Sequence, residues 1–496
     1  MKRQKIPEQS KVTEKQIIGM LKRPPARPRR WPAVPTGGAG IRARSEFRTV
    51  SVIGLGYIGL PTAATLASRG LDVIGVDISN RAVDAINGGH TYFSEPDLDG
   101  LVQAAVMSGR LRAYTEPRPA DAFIIAVPTP VQRDKAPDMR FVECAARSVA
   151  RVLKEGNLVI LESTSPVGTT RSLAGIIAEE RPDLIDPANV ECGLKISLAY
   201  CPERILPGRM VYELTENDRV VGGVDRESAA RAKALYSTFV RGAIYETSSS
   251  AAELVKLIEN AYRDVNIAFA NEVANICDRM DLDPWETIKL ANRHPRVNIL
   301  NPGPGVGGHC IAVDPWFLIA QHPDLTPLLR AARNVNDGRP SGVVRRVMEA
   351  AAIAGSRRVC CLGLAYKSDV DDLRESPAME VATELAEKGY DVVAVEPNIC
   401  ALPEHLAHAG HVSLAATEDA VRQSDVVVLL VGHKAFRDID RQMLAGKKVV
   451  DCVGLWPWAK TADEAQAIAR ALIARTALEA AYYVQPAAAV QGPTKL

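Results

Sequence analysis

The chain has 496 residues, enough for two to four domains with substantial cores at roughly 100–200 residues per domain. Its 60 Lys and Arg nearly balance its 59 Asp and Glu, and a formal net charge of +1 disfavours both a protein that coats nucleic acid and an acidic disordered one. Nine cysteines without a CxxC pair predict reduced thiols, with neither a disulfide framework nor a metal site. The sequence has no apolar run of the ~20 residues that a membrane span needs and no secretory signal, so we expect a cytoplasmic protein.

The start of the chain differs in composition from the rest. Residues 1–45 contain 12 Lys and Arg, two Glu and several prolines, which leaves the remaining chain mildly acidic. We predict that residues 1–46 form a basic, Pro-rich, disordered extension. Weak attachment of this extension to an acidic surface or partner is the alternative.

The first ordered elements form a strand, glycine turn, helix and strand of ~30 residues, as a mononucleotide-binding βαβ unit requires. The pattern predicts strands over 49–53 and 72–76, with GLGYIGLP between them and Asp77 after the second strand. The apolar runs FIIAVP and LVILEST alternate with helical patterns and indicate further parallel strands. We therefore predict an N-terminal NAD-binding Rossmann domain over 47–245.

A long helix and a glycine-rich loop follow. Residues 250–280 have helical periodicity without Gly or Pro, and NILNPGPGVGGHC comes shortly after them. These features predict a central, mainly helical domain over 246–335.

The last third predicts another α/β block. Strands are expected over 358–363 and 391–395 with a helix over 375–388, and GYDVVAVEP weakly repeats the earlier GLDVIGVDI. We assign a second α/β domain to 336–475 and a tail to 476–496. The predicted fold class is α/β, with two doubly wound Rossmann-like domains joined by a long central helix.

The GxGxxG motif predicts a dinucleotide site. Gly54 makes the tight turn, Gly56 lets a pyrophosphate approach the backbone, and Gly59 permits close helix packing. Asp77, 18 residues after Gly59, would accept the ribose hydroxyls of NAD and repel the 2′-phosphate of NADP. A glycine turn that only packs a strand on a helix is the alternative.

Polar side chains follow two later strands and occupy one stripe of the long helix. Thr129 and Thr164 are expected at the carboxyl edge of the sheet, where ligands of open α/β sheets bind. Lys256, Asn260 and Arg263 lie at i, i+4 and i+7 on one helix face. They either line a cavity or form a solvated polar face.

Cys310 ends the glycine-rich loop in the phrase VGGHCIAVD. A nearby cation such as Lys256 could activate its thiol as a nucleophile, but a single cysteine is also a common small buried hydrophobe. His309 could act as a base or bond to the loop backbone.

Together the motifs resemble one family. GLGYIGLP, AVPTP, ESTSPVG, YCPERILPG, ELVKLIEN, RHPRVNI, GPGVGGHCIAVDPWF and GLAYK with DDLRESP are similar to the UDP-glucose and GDP-mannose dehydrogenases over residues 50–451. The resemblance implies a four-electron oxidation of a sugar CH2OH to a carboxylate with two NAD in succession, for a cell-surface polysaccharide precursor. It also implies that the central domain over 246–335 serves substrate binding and dimerisation, with a homodimer formed through the central helix and part of the substrate loop coming from the partner. The C-terminal domain over 336–475 would then bind the UDP-sugar.

The resemblance assigns catalytic roles residue by residue. Cys310 would form a thiohemiacetal and then a thioester, and Lys256 would act as acid and base, with Asn260 donating to the same substrate oxygen. Asp314 and Thr164 would position or activate water, and Glu203 would assist hydrolysis of the thioester.

It also implies two binding sets. The cofactor set is Gly54, Gly56, Tyr57, Ile58, Gly59, Asp77, Thr129, Thr170 and Arg374. The substrate set is Arg204, Ile205, Lys256, Asn260, Arg263, His294, Arg296, Gly305, Gly307, Gly308, Tyr366 and Lys367.

Some positions bear on the substrate. Pro207 stands where UDP-glucose dehydrogenases have a second Glu, which disfavours UDP-glucose, and RHPRVNI favours UDP-N-acetyl-D-mannosamine. UDP-N-acetylglucosamine or another nucleotide sugar is the alternative, and Val453 replaces a basic residue common in relatives. More distant alternatives are a two-electron hydroxyacid dehydrogenase and a non-catalytic NAD-binding regulator.

Overall fold

The structure is a computed structural model that describes residues 46–93, 95–132, 134–189, 191–205, 208–407 and 410–456. The predicted extension, apart from Glu46, lies outside the described residues, as do the predicted tail and Pro207. The chain divides into two compact units between Arg339 and Pro340.

The first unit contains an eight-stranded sheet. Its strands are β1 (Thr49–Ile53), β2 (Asp72–Val76), β3 (Leu111–Tyr114), β4 (Ala122–Ile125), β5 (Leu158–Leu161), β6 (Ser197–Tyr200), β7 (Arg219–Gly223) and β8 (Ile244–Ser248). Their order is β3-β2-β1-β4-β5-β6-β7-β8, and neighbours are parallel except at the β6–β7 pair. The first six strands follow the dinucleotide-binding order. The two strands predicted at the start of this domain are confirmed at both ends.

The helices of the first unit cover the sheet and then extend beyond it. They are α1 (Gly59–Ser68), α2 (Asn80–Asn87), α3 (Leu98–Met107), α4 (Arg140–Ala150), α5 (Thr169–Glu180), α6 (Met210–Glu216), α7 (Arg226–Tyr236), α8 (Ser249–Met280), α9 (Pro284–Ala291), α10 (Asp314–Gln321) and α11 (Pro327–Asp337). The predicted long helix is α8, which begins one residue earlier than expected because the Ser248 side chain caps it by accepting from the N–H of Ala251. Helix α8 lies within the first unit, and three more helices follow before the chain divides.

The second unit has a five-stranded parallel sheet. Its strands are β9 (Arg358–Leu362), β10 (Asp391–Val395), β11 (Val412–Leu414), β12 (Val426–Leu429) and β13 (Lys448–Asp451), in the order β11-β10-β9-β12-β13. The accompanying helices are α12 (Arg339–Ala354), which spans the division, α13 (Pro377–Glu387), α14 (Glu404–Ala407) and α15 (Thr417–Gln423). The predicted α/β fold class with two doubly wound sheets is confirmed.

The two sheets share a turn geometry at their first strands. Gly54 follows β1 with φ +88° and donates its N–H to the Val76 carbonyl at 2.8 Å, and Gly363 follows β9 with φ +93° and donates to the Val395 carbonyl at 2.8 Å. In each case an acidic residue follows the second strand: Asp77 in the first unit and Glu396 in the second. The weak sequence repeat therefore corresponds to a repeated structural unit.

The core of the first sheet positions its ligand-binding edge. The residues of β4 and β5 are all buried, because helices pack on both faces of the sheet. The strand order reverses between β1 and β4, and the loops leaving these two strands diverge there. Within the described residues, no helix combines the length and the apolar composition needed to cross a membrane.

Candidate active site

The three glycines of the GxGxxG motif lie in different surroundings. A Cβ on Gly54 would lie 2.5 Å from the Ala126 carbonyl oxygen, and one on Gly59 would lie 1.8 Å from the Gly54 oxygen, so packing demands glycine at both positions. A Cβ on Gly56 would meet no protein atom within 4 Å. The backbone at Gly56 is therefore open to a ligand, as pyrophosphate binding at the start of α1 requires.

The Asp77 carboxylate is hydrogen-bonded to this glycine loop. One oxygen accepts from the N–H of Leu55 at 3.0 Å and the other from the N–H of Ser79 at 2.9 Å. Tyr92 donates its hydroxyl to the Leu55 carbonyl at 2.9 Å, and burial, followed by the charge of Asp77, raises the pKa of Tyr92 to about 12. Asp77 is partly exposed. These residues fit a dinucleotide whose ribose lies at the end of β2.

The other predicted cofactor residues of the first unit differ in accessibility. Thr129 is partly exposed after β4, and Ile58 precedes α1, while the Tyr57 ring stacks on Phe93 with centroids 4.3 Å apart. Thr170 is fully buried, and both its hydroxyl and its N–H donate to the Glu253 carboxylate at 2.7 Å. The side chain of Thr170 is thus engaged within the protein.

Four of the predicted catalytic residues come together where α8 packs against α10. Asn260 donates its side-chain amide to the Asp314 carboxylate at 2.5 Å. Lys256 and Asp314 are buried, whereas Cys310 is exposed on the loop before α10 and accepts at its carbonyl from the Asp314 N–H at 2.8 Å. Within this packing, Leu257 of α8 belongs to the same apolar cluster as residues of α10 and of the loops after β4 and β5. The cluster therefore lies at the carboxyl edge of the sheet.

The electrostatics of this group centre on Asp314. Burial raises the pKa of Asp314 to about 6, while the charge of Lys256 and the hydrogen bond from Asn260 oppose the shift. Although Cys310 is exposed as a whole residue, the protein atoms around its sulfur reduce the hydration of the thiol. This loss of hydration, followed by the Asp314 charge, raises the pKa of the Cys310 thiol, and the charge of Lys256 opposes the shift. A carboxyl that titrates near neutral pH lies beside a thiol that needs to lose a proton before it can attack.

Glu203 belongs to a separate buried charge cluster. Its carboxylate accepts from the Arg219 guanidinium at 2.8 Å and from the N–H of Arg204 at 2.6 Å. Arg219 also lies 3.7 Å from Glu162, to which Tyr236 donates its hydroxyl at 3.0 Å. Burial, followed by repulsion from Glu203, raises the pKa of Glu162 to about 8. One guanidinium thus contacts two buried carboxyl groups, and burial favours the protonated form of Glu162.

The predicted substrate residues of the first unit are mostly accessible. Arg204 forms an ion pair with Glu259 at 2.8 Å, and the partly buried Ile205 packs against the core under β1. Arg263, His294 and Arg296 are exposed. Lys256 and Arg263 were predicted on one face of α8, but Lys256 is buried and Arg263, two turns later, is exposed. The helix face that carries them therefore turns from the protein interior toward solvent along α8.

The glycine loop that carries Gly305, Gly307 and Gly308 is anchored at its start. Gly303 accepts from the Arg339 guanidinium at 3.0 Å and donates its N–H to the Asn271 side chain at 2.9 Å. Neither anchoring residue was predicted.

The predicted residues of the second unit follow β9. The Glu396 carboxylate accepts from the N–H groups of Leu364 and Ala365 at 2.8 and 3.0 Å, and so holds the loop that leads into Tyr366 and Lys367. The Arg374 guanidinium donates two hydrogen bonds to the Asp372 carboxylate, at 2.8 and 2.7 Å. Val453, the departure from relatives, lies in a loop where Asp451 accepts three N–H groups, including that of Val453 at 2.8 Å.

Two polar residues near the catalytic group were missed by the sequence analysis. Glu253 and Gln321 both bond to the loop between β5 and α5. Glu253 lies three residues before Lys256 within ELVKLIEN, on the same helical face. This spacing of polar residues on a buried face is a sequence signal from which Glu253 could have been predicted. Nothing in the local pattern around Gln321 distinguishes it from a surface residue.

A doubly wound sheet with an NAD-type glycine loop, beside a Lys, Asn, Cys and Asp cluster, defines an NAD-dependent dehydrogenase. Comparison with known proteins gives the family. Residues 48–240 match the NAD binding domain of the UDP-glucose/GDP-mannose dehydrogenase family, residues 250–338 its central domain and residues 360–457 its UDP binding domain. The chain belongs to this family of nucleotide-sugar dehydrogenases, which confirms the resemblance drawn from the motifs.

The match to this chain extends over nearly the whole length of individual relatives. The UDP-N-acetyl-D-mannosamine dehydrogenase of Yersinia pestis is 54% identical over 420 residues, which is 83% of this chain and 100% of that protein. The NDP-N-acetyl-D-galactosaminuronic acid dehydrogenase of Ralstonia solanacearum is 52% identical over 412 residues, 83% of this chain and 97% of that protein. The solved UDP-D-ManNAc dehydrogenase of Pyrococcus horikoshii has a TM-score of 0.76 at 34% identity, covering 84% of this chain and 97% of that one.

Proposed function

We propose that the protein oxidises the C6 hydroxymethyl group of UDP-N-acetyl-D-mannosamine to the carboxylate. The reaction consumes two NAD and one water, and releases two NADH and three protons. The observation that carries the proposal is the cluster of Lys256, Asn260, Cys310 and Asp314 at the carboxyl edge of a dinucleotide-binding sheet.

NAD held at the Gly54–Gly59 turn and Asp77 would supply the hydride acceptor for each of two oxidations at the sugar carbon. In the first, Lys256 in its neutral form takes the proton of the C6 hydroxyl, and Asn260 donates a hydrogen bond to the same oxygen. In the second, the Cys310 thiolate adds to the aldehyde, and the resulting thiohemiacetal loses a hydride to give a thioester. Asp314, whose pKa is raised to about 6, is suited to pass a proton near neutral pH.

Hydrolysis completes the reaction. Water adds to the thioester carbonyl, the carbon–sulfur bond breaks, and the thiolate of Cys310 leaves as the carboxylate forms. We assign the positioning of this water to Thr164 and Asp314. Glu203 supports the step by fixing Arg204, since its carboxylate bonds to both the Arg204 N–H and Arg219.

For the substrate, Arg204, Arg263 and Arg296 suit the diphosphate, because guanidinium groups bind phosphate oxygens in pairs. The names of the relatives favour an acetamido sugar, and RHPRVNI favours the manno form. The Ralstonia relative makes an N-acetylgalactosamine nucleotide the second candidate, and UDP-N-acetylglucosamine remains a third.

The proposed assembly is a homodimer through α8. Large apolar side chains are exposed along this helix, at Leu254, Ile258, Tyr262, Phe269, Ile276 and Met280. A stripe of this kind on one helix is typical of an interface. The neighbouring exposed residues Arg263, His294 and Arg296 would then contribute to the substrate site of the partner.

All nine cysteines are free, which supports a reducing cytoplasmic location.

The test counts NADH released per sugar consumed, with the UDP derivatives of N-acetylmannosamine, N-acetylgalactosamine, N-acetylglucosamine and glucose assayed in parallel. We expect two NADH per sugar, and the highest kcat/KM with the manno sugar. One NADH per sugar, or a preference for UDP-glucose, contradicts the proposal.

Cys310→Ser separates this mechanism from a two-electron dehydrogenase. The variant lacks the thiolate, so we expect no uronate and at most one NADH per sugar. Cys144→Ser, a change at another exposed cysteine, is the matched control and should keep both oxidations. Full turnover by Cys310→Ser would exclude the thioester route.

A further inference from the structure

The buried Glu253 carboxylate joins α8 to the loop between β5 and α5. It accepts from the N–H of Gly168 at 2.6 Å, and from the N–H and the hydroxyl of Thr170 at 2.7 Å each. These donors form the start of α5, where the helix dipole also favours a negative charge. Glu253 is completely buried, so its bonds are shielded from water. Burial raises its pKa, while the bonds from Thr170 and Gly168 act in the opposite direction.

The position of Glu253 on α8 connects it to the catalytic residues. Lys256 and Asn260 follow at i+3 and i+7, on the same helical stripe. The loop that Glu253 holds contains Thr164, to which we assign water positioning. One buried side chain therefore fixes the end of the Thr164 loop to α8, the helix that carries Lys256 and Asn260.

The same loop is held from its other side by α10. Gln321, the last residue of α10, donates to the Val167 carbonyl at 3.0 Å and accepts from the Val167 N–H at 3.1 Å. Asp314 is the first residue of that helix. Burial, followed by the charges of Glu253 and Asp314, raises the pKa of Tyr200 well above its usual value.

The catalytic residues on the two helices also contact one another directly, while Val167 of this loop packs on the same apolar cluster. Asn260 bonds directly to Asp314, and Leu257 packs against residues of α10. Loosening the loop would move Thr164 while leaving the Lys256, Asn260 and Asp314 arrangement in place. The two oxidations and the hydrolysis should therefore respond differently to the loss of Glu253.

We propose that Glu253, together with Gln321, is a positioning residue that holds the Thr164 loop in place for water attack on the Cys310 thioester. This inference rests on the proposed function. In the step concerned, water supplies the oxygen and the carbon–sulfur bond breaks. The products are the carboxylate and the Cys310 thiolate, and two protons are released.

The decisive variant is Glu253→Gln, which replaces one acceptor oxygen by an amide donor facing N–H groups. In rapid-mixing experiments with NAD and the UDP-sugar, we expect a burst of two NADH per site at the wild-type rate, followed by slow turnover. A misplacement of about 1 Å can lower a rate about 100-fold, and hydrolysis should slow toward that extent. Intact-protein mass spectrometry after acid quenching should detect the acyl adduct on Cys310.

Controls separate positioning from simple loss of stability. Glu227→Gln removes an exposed carboxylate from the first turn of α7 and should hydrolyse the adduct at the wild-type rate. A purely structural effect would lower the burst amplitude without slowing hydrolysis in the folded fraction. If Glu253→Gln fails to fold, Gln321→Ala at an exposed position takes its place, with accumulation of the adduct again expected.

The outcomes distinguish the inference from the function on which it rests. If wild-type protein releases no second NADH with any of the sugars, the proposed function fails. If wild type turns over fully and the variant hydrolyses its adduct at the wild-type rate, the positioning role is wrong. Equal slowing of the NADH burst and of hydrolysis also overturns it, because Glu253 would then affect the whole site.

Discussion

At the scale of single residues, the structure separates glycines that the fold needs from one that the ligand needs. Gly54 and Gly59 approach backbone atoms closely, whereas Gly56 faces open space. All three belong to one motif, and the motif alone does not rank them. The distinction makes a matched pair of substitutions informative.

Gly59→Ala is expected to destabilise the fold, because the new Cβ would lie 1.8 Å from a backbone oxygen that cannot yield without moving the loop. Overpacking of this kind costs about 1–3 kcal/mol. Gly56→Ala should change the free energy of unfolding by less than about 0.5 kcal/mol, but weaken NAD binding. Thermal unfolding and calorimetric titration with NAD measure the two effects, and equal destabilisation by both changes would contradict the assignment.

The buried Glu162 predicts a pH dependence of stability. Its pKa is raised in the folded protein to about 8, above its usual value near 4.5, so the folded state binds the proton more tightly than the unfolded state. The contribution of Glu162 to stability is therefore present below pH 4.5 and is lost as the pH rises toward 8.

Glu162→Gln keeps the neutral form at every pH. We expect the variant to lose less stability than wild type between pH 5 and 8.5 in denaturant titrations. The exposed Glu227→Gln change should leave the wild-type profile intact. Parallel profiles for wild type and Glu162→Gln would show that Glu162 is already ionised at neutral pH.

At the scale of elements, α8 has two faces with different tasks. Its buried face carries Glu253, Lys256 and Asp264, each engaged with a different part of the first unit, and Asp264 pairs with the buried Arg333 of α11 at 2.6 Å. Its other face exposes the apolar stripe. The absence of Gly and Pro lets one helix of 32 residues present both faces without a break.

Phe269→Glu tests the apolar stripe, because a charge in the middle of an apolar interface would lose its hydration on association. We expect the variant to shift from dimer to monomer in size-exclusion chromatography with light scattering. Met107→Glu, at an exposed apolar residue of α3, is the control and should leave the mass unchanged. A wild-type monomer, or a variant dimer of undiminished affinity, would contradict an interface on α8.

At the scale of the whole molecule, the basic start and the enzyme body differ in charge. Residues 1–45 account for 12 of the 60 basic side chains, and the family match begins at residue 48. Removal of residues 1–45 should leave kcat and KM unchanged in the NADH assay, while retention on a cation exchanger falls. A decrease in kcat on truncation would give this segment a part in catalysis.

Much of the fold could be predicted because it depends on local patterns. Alternation of apolar strands, the glycine turn and the uninterrupted helical periodicity are local signals, so the ends of β1 and β2 and the extent of α8 agree with the structure. Motif context likewise brought Lys256, Asn260, Cys310 and Asp314 into one prediction. Their spacing along the chain, 54 residues between Asn260 and Asp314, gave no indication that these two side chains touch.

The sequence therefore determined the class of protein and the cofactor, and it predicted which side chains react, since these depend on residue type and short-range spacing. Only the tertiary structure decided which groups support them: Glu253 at the start of α5, Arg219 between two carboxyl groups, and Asn271 and Arg339 at the glycine loop. Each of these is an ordinary polar residue in the sequence. Its role arises because folding removes it from water beside a partner distant along the chain, where an unpaired polar group would be costly.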